Sequence, residues 1–340
     1  MGYTVTEVFI VNFGTSLGKK SERLLIKGQG KVVEEIPFRD ISSLTIATRG
    51  VSLSSDVILE CIEHGIQINF LTSSGKPYAK VTSPQLSGTV ITRREQILAY
   101  TDERGAALAV AFIEGKLKNQ ANVLKYFAKY RRAADPALYR ELEARLTRME
   151  EIRGELEGLS GTTVDELRGP IFSVEGRAAQ EYWEGIGVLL GERVEFAGRE
   201  RRGAEDPVNS ALNYGYGILY SQVWGAVTLA GLEPFAGFLH TDRPGKPSLV
   251  LDLTEEFRAC VVDRTIVGML LRGGAVKLEE GRLTDETRRE LARRVLERLD
   301  AEEAYDGKKH KLKTIIHRQA RRIGSFLRGE ARYKPFIAGW

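Results

Sequence analysis

Only two cysteines occur in 340 residues, Cys61 and Cys260, about 200 positions apart. That number and spacing make neither a disulfide framework nor a zinc-binding set, and a reducing compartment with two buried thiols is expected. No apolar run approaches the ~18 residues a membrane-spanning helix needs. The longer ones, such as Ile66–Leu71, are strand-sized. The opening MGYTVTEVFI has no basic stretch leading into an apolar one, so no signal peptide is read there. A soluble, cytoplasmic protein with no membrane contact is expected. Phosphate-binding glycine fingerprints, a P-loop, internal repeats and low-complexity tracts are all missing. Histidine is scarce, with four residues in all. What remains is ordinary globular composition, 42% hydrophobic and 28% charged, on a chain long enough for two or three domains with sizeable cores.

The net charge of +4 is mild but uneven. Residues 307–340 hold ten Lys and Arg against one acid, Glu330, and so carry +9; the rest of the chain carries −5. Such asymmetry points to a polyanion. The alternative is a solvated basic helix that maintains solubility. A helix over 309–328, at about 100° per residue, groups Lys311, Arg318 and Arg322, with Arg321 and Arg328 to one side. Leu312, Ile315, Ile316, Ile323 and Phe326 fall on a separate apolar face. These five cations are the predicted contacts to DNA phosphates, because guanidinium forks match phosphate geometry.

The first 90 residues read as β-rich. Thr4–Phe13, Arg23–Lys27, Lys31–Ile36, Ser43–Ala47 and Ile66–Leu71 have strand character, with Gly28-Gln29-Gly30 as a hairpin turn. One helix interrupts them, capped by Ser54-Ser55 and ended by Gly65. Pro84, Ser87 and Gly88 place a boundary near residue 90. Beyond it the apolar spacing becomes helical: Gly105–Ala133, a helix opening at Pro136, then roughly 175–190, 207–231, 253–272, 284–304 and 309–328. The expected fold is α+β, a small β-rich N-terminal domain (1–90) followed by a larger all-α domain (91–340).

Residues 170–265 hold the chemically suggestive side chains. Glu175 follows Ile171-Phe172 at the start of a helical pattern, and reads either as a first-turn acid favoured by the helix dipole or as a ligand or base. His240 follows Phe238-Leu239 and precedes a polar turn, and is either a structural imidazole or a metal ligand. Asp252 follows the strand-like Leu249-Val250-Leu251, with Glu255 three residues on; the pair reads as a helix N-cap and capping box or as functional acids. Two carboxylates and an imidazole make an O/O/N set suited to Mg2+ or, with the imidazole, Mn2+. Such an ion beside a basic surface suits phosphodiester chemistry. Tyr214, Tyr216, Tyr220 and Trp224 lie at core-like helical spacing, and Asn213 is placed to hold a neighbour by hydrogen bond.

Four segments together resemble the CRISPR-associated endonuclease family, the universal spacer-acquisition integrase. They are Ser173-Val174-Glu175-Gly176-Arg177, Asn209 with Leu212–Tyr216, Gly237–His240, and Leu251–Arg258. Their order and spacing agree over essentially the whole chain. The resemblance implies a β-rich dimerisation domain and a helical catalytic domain. It implies Glu175, His240 and Glu255 as catalytic metal ligands for Mg2+ or Mn2+, with Asp252 supporting or transient. Some relatives have Asp where this chain has Glu255. It further implies a homodimer, a small ferredoxin-like CRISPR acquisition partner, and double-stranded DNA (pre-spacer and repeat array) as substrate. The rival expectation is a non-catalytic nucleic-acid-binding or scaffolding module.

Overall fold

The computed structural model describes residues 6–72, 75–81, 83, 90–191, 194, 196–200 and 206–339. Strands come first: β1 (Thr6–Ile10), β2 (Ser16–Lys20), β3 (Arg23–Gly28), β4 (Lys31–Pro37), β5 (Ile41–Ile46), β6 (Ser52–Leu53), then helix α1 (Ser55–Glu63), β7 (Gln67–Leu71) and β8 (Pro77–Val81). Gln29 (φ 50°) and Gly30 (φ 78°) are both left-handed, the backbone a tight β3–β4 hairpin requires. Ser54 caps α1 by accepting from Val57 N, and Gly65 (φ 68°) follows its end. One sheet runs β1-β5-β7-β8, parallel except for the β7–β8 pair; the other runs β4-β3-β2-β6. Val8, Ile10, Leu24, Ile26, Leu44 and Ile68 share one core with Val57 and Cys61 of α1. The boundary residues Pro84, Ser87 and Gly88 lie outside the described residues.

Helices follow: α2 (Val90–Leu98), α3 (Glu103–Ala128), α4 (Pro136–Gly154), α5 (Val164–Leu190), α6 (Pro207–Leu229), α7 (Ser248–Phe257) and α8 (Arg264–Leu271). A hairpin of β9 (Leu278–Glu279) and β10 (Arg282–Leu283) precedes α9 (Asp285–Asp300); another, β11 (Glu302–Tyr305) with β12 (Lys308–Lys311), precedes α10 (Leu312–Leu327). The second part is therefore predominantly helical rather than all-α. Asp306 (φ 49°) and Gly307 (φ 75°) make the tight turn between β11 and β12. That turn shortens the expected 309–328 helix and puts Lys311 at a strand end.

Three helix limits differ from expectation. The α5 helix begins at Val164, so Glu175 sits mid-helix and is no first-turn acid. Thr163 and Glu166 form a reciprocal capping box, and burial of Val164, Leu167, Ile171 and Val174 outweighs the roughly 3 kcal/mol that Pro170 costs inside a helix. The Leu249-Val250-Leu251 stretch is helical, not a strand, so Asp252 is no N-cap and Glu255 no capping-box partner. Leu249, Val250, Leu253 and Phe257 are buried along α7, a helical spacing hidden by three consecutive apolar residues that also fit a short buried strand. Finally, the expected 253–272 helix is α7 and α8 joined by a π-helical segment, Arg258–Asp263.

The β7–β8 turn packs on α6. A Cβ at Gly217 would lie 1.6 Å from the Gly75 carbonyl oxygen, so only glycine permits this approach. Gln67 Nε2 donates to Gly225 O at 3.3 Å, and Lys80 Nζ donates to Gln67 Oε1 at 2.8 Å.

Candidate active site

Glu175, Glu255 and His240 come from α5, α7 and the loop between α6 and α7. The α3 helix supplies the group that joins the first two. Lys116 Nζ lies 2.5 Å from Glu175 Oε1 and 2.7 Å from Glu255 Oε2. The ammonium is nearly buried, as are both carboxylates. Two carboxylates so close would repel without a cation between them. Arg258 adds a second cation, with Nη1 donating to Glu255 Oε1 at 2.9 Å. Burial alone would raise the Glu255 carboxyl, but the Arg258 and Lys116 cations hold it well below the ordinary carboxylate range. Glu255 therefore stays ionised, as a cation ligand must.

His240 is oriented by Asp252. Its Nδ1 stands 2.8 Å from Asp252 Oδ1. With the carboxylate accepting that proton, Nε2 keeps its lone pair for a ligand, the usual arrangement behind a metal-bound imidazole. Asp252 is fully buried and also accepts from the amides of Phe238 (2.6 Å), Leu239 (3.0 Å) and His240 (2.9 Å). Gly237 makes this possible, because a Cβ there would lie 2.7 Å from Asp252 Oδ2. Arg168 of α5 fixes the loop from the other side, donating to the carbonyls of Leu239 (3.0 Å) and Phe238 (3.3 Å). The Phe172 ring meets the imidazole edge-on at 6.2 Å.

A divalent cation fits these groups. Glu175 and Glu255 already share one cation, and Glu255 Oε2 is buried with no directed hydrogen bond despite its contact with Lys116. Gln120 Oε1, one turn beyond Lys116, is likewise buried without a hydrogen-bond partner. The ammonium separates the carboxylates, and the three expected ligands do not close into a tight cluster. Among the described residues, the set with ligand atoms all within 4.8 Å of one another is Glu22, Glu60 and His64. That set belongs to the β-rich part, where Lys19 already pairs with Glu60.

Several site residues carry no sequence signal of their own. The π segment inserts an extra residue into the helical phase, a feature frequent at functional sites, and brings Arg258 and Asp263 to the same side. Arg258 lies 4.2 Å over the Tyr216 ring. Tyr216 and Tyr182 donate to Asp263 Oδ1 (2.5 Å) and Oδ2 (2.9 Å). Burial pushes the Asp263 carboxyl up, against these hydrogen bonds and Arg258. Tyr216 thus serves the site as well as the core. Asn213 and Asn209, one turn apart on α6, accept from Arg199 Nη2 (2.6 Å) and Nη1 (2.8 Å).

The expected DNA-contacting cations are divided. Lys311 pairs with Asp300, Arg322 with Asp306, and Arg328 with Glu330 and Thr92. Arg318 and Arg321 are exposed, with no ion pair among the described residues. The apolar face expected of this helix is buried at Leu312, Ile315, Ile316 and Ile323. None of the described helices is long and apolar enough to cross a membrane.

Comparison with known proteins agrees with this layout. A CRISPR-associated endonuclease Cas1 of Archaeoglobus fulgidus is 36% identical over 341 residues, 96% of this chain and 98% of that protein. Among solved structures, a casposase bound to integration product superposes with a TM-score of 0.80 at 23% identity, over 98% of this chain and 93% of its own. A Cas6-RT-Cas1–Cas2 complex superposes with a TM-score of 0.78 at 19% identity, over 99% of this chain and 36% of the matched chain. The model of the family described as CRISPR associated protein Cas1 matches residues 8–297, and with that extent and that identity this chain belongs to the Cas1 family.

Proposed function

We propose that this chain is a metal-dependent DNA endonuclease and integrase that inserts DNA fragments into a CRISPR array by phosphodiester transfer. The observation that carries the reading is the meeting of Glu175 and Glu255 on one buried cation, beside an imidazole presented by Asp252. Glu175, His240 and Glu255 would hold Mg2+ or Mn2+, which when bound neutralises charge at the scissile phosphate and acidifies the attacking hydroxyl. Asp252 keeps His240 in the tautomer that leaves Nε2 open. Arg258 keeps Glu255 ionised and in place. Lys116 holds the two carboxylates together and offers a cation near the developing phosphoryl charge.

The 3′-hydroxyl of a pre-spacer strand attacks a backbone phosphate at the edge of the repeat. A new P–O bond forms to that 3′-oxygen, the old P–O3′ bond breaks, and the proton passes from the attacking oxygen to the leaving one. With water in place of the hydroxyl, the same residues perform hydrolysis. We further propose a homodimer through the β-rich part, where Val32 and Val33 stand exposed on the edge strand β4. A small ferredoxin-like acquisition protein joins the larger complex. The site of action is the cytoplasm.

The test is strand transfer of a labelled 3′-hydroxyl DNA into a repeat-bearing plasmid with Mn2+. Wild type transfers; His240→Ala loses both transfer and cleavage while still binding DNA. Transfer at the wild-type rate by that variant would contradict the assignment of His240; full function without metal would favour a non-catalytic binding or scaffolding module.

A further inference from the structure

The segment that follows α10 returns to α3 and α7. Residues Tyr333–Ala338 have no regular structure, yet Phe336 and Ala338 are each only 2% exposed. Three fully buried polar side chains hold the segment: Asn119 of α3, Glu256 of α7 and Gln319 of α10. Glu256 Oε2 accepts from Phe336 N at 2.9 Å and from Gln319 Nε2 at 2.8 Å, and its Oε1 accepts from the Tyr333 hydroxyl. Two of these three donors come from the segment, so its departure would leave a buried carboxylate unsatisfied. Asn119 Nδ2 donates both to Phe336 O (2.8 Å) and to Glu256 O (2.7 Å), while its Oδ1 accepts from Ala338 N (2.8 Å). One amide thus joins α3, α7 and the segment. The Phe336 ring stacks on Phe257 at 5.4 Å. This seat is one residue from the metal site on both helices: Glu256 follows Glu255, and Gly115 precedes Lys116. A Cβ at Gly115 would lie 2.8 Å from Pro335 Cβ and 3.0 Å from Glu256 Cγ, so the segment comes up against the α3 backbone itself.

We infer that Tyr333–Ala338 is a positioning strap: seated on Glu256, Asn119 and Gln319, it fixes α7 against α3 and so sets where Glu255 stands as a metal ligand. This rests on the metal-ion reading above and adds what sets the ligand spacing. Adjacent helical residues point about 100° apart. The strap therefore grips one face of each helix, while Glu255 and Lys116 leave from the next. A ligand set has to be held within about 0.5 Å by neighbours that are themselves locked. Lys116 and Arg258 hold the Glu255 carboxylate by charge; the strap holds the helix on which that carboxylate stands. Tyr333, Phe336, Asn119 and Glu256 are thus positioning residues, acting through Glu255 rather than on the reacting atoms. Gly115 has a reason to be glycine in a helix interior, where alanine is otherwise favoured: the strap needs its space.

The experiment titrates the full chain with Mn2+ and follows the electron paramagnetic resonance of the free ion. The binding read is the component that His240→Ala removes. Tyr333→Phe deletes one donor to Glu256 and keeps the ring. Gly115→Ala favours the helix itself, while its methyl displaces Pro335. Both variants should bind Mn2+ about tenfold more weakly, the low end of what a disturbed ligand support costs, with DNA affinity in EDTA unchanged. Ile68→Val trims the separate β-rich core and controls for lost stability; it should bind Mn2+ as wild type does. Should Gly115→Ala not fold, Tyr333→Phe carries the test by itself. Wild-type Mn2+ affinity in the strap variants, an equal loss in Ile68→Val, or a parallel loss of DNA affinity would overturn the strap. The two readings fail differently. A wild type with no His240-dependent Mn2+ binding refutes the metal site and the strap with it; His240-dependent binding that the strap variants leave intact refutes the strap alone.

Discussion

Replacing Lys116 by Met keeps the length and apolar stem of the side chain but removes the cation between Glu175 and Glu255. The side chains involved are only 7% (Lys116), 11% (Glu175) and 6% (Glu255) exposed, so water screens little of the loss. Breaking a buried pair by deleting one partner costs about 3–5 kcal/mol. Arg258 still pairs with Glu255, which places this case near the lower figure, about 3 kcal/mol. For a unit the size of the helical part, each kcal/mol shifts Tm by about 2–4 °C, so a fall of about 6–12 °C is expected in EDTA. A divalent ion that takes the ammonium's place restores charge balance, and at 100 times its Kd contributes about 2.7 kcal/mol. Mn2+ should therefore return Lys116→Met to within about 3 °C of wild type, and shift wild type much less, because there it must first displace the ammonium. Differential scanning fluorimetry with EDTA and with a Mn2+ series reads both. A variant that melts with wild type in EDTA, or equal Mn2+ shifts in the two proteins, would show that Lys116 does not hold the carboxylates against repulsion.

Asp252→Asn removes the anion that fixes the His240 tautomer and three loop amides; nuclease activity should fall by at least about tenfold with Mn2+ affinity falling about 10- to 100-fold, read by titration calorimetry. Arg318→Gln with Arg321→Gln, on the exposed face of α10, should make the slope of log affinity against log salt shallower by about 2; an unchanged slope in filter binding would take this face off the DNA path. For pH, burial with Arg321, Lys80 and Lys313 nearby pushes the His317 imidazole down from 6.5 to about 4. The unfolded chain then binds the extra proton first, so this contribution to stability is full above pH 6.5 and is lost as pH falls through 4. Denaturant midpoints should decline over that window in wild type and decline less in His317→Gln.

The order of β-rich and helical parts was legible because strand alternation and helical periodicity differ over long stretches. Local chemistry misled in three places. Glu175 was read at the start of a helical pattern, although Thr163 and Glu166 upstream of it already spelled a capping box. Leu249-Val250-Leu251 resembled a strand because consecutive apolar residues fit a fully buried helix equally well. The Asp306-Gly307 turn was readable as a hairpin but lay hidden in a run of basic residues. Glu175, His240, Asp252 and Glu255 stood out as chemically able side chains, but their grouping came from family resemblance. Lys116 went unremarked within the expected Gly105–Ala133 helix, almost 60 residues before Glu175. Arg258 and Asp263 join the site through a π-helical phase shift that no apolar period announces. The division of the basic tail depended on where acids from other segments fall: Asp300, Asp306 and Glu330 consume three of the five expected phosphate contacts.

The central claim is that Glu175, His240 and Glu255 hold one divalent ion. Anomalous diffraction from crystals of the full chain grown with Mn2+ tests it directly. The account predicts one strong peak about 2.0–2.3 Å from His240 Nε2 and from a carboxylate oxygen of both Glu175 and Glu255, with the Lys116 ammonium moved off that point. A map with manganese at Glu22, Glu60 and His64 alone, or with Lys116 still seated between the two carboxylates at saturating Mn2+, would contradict it.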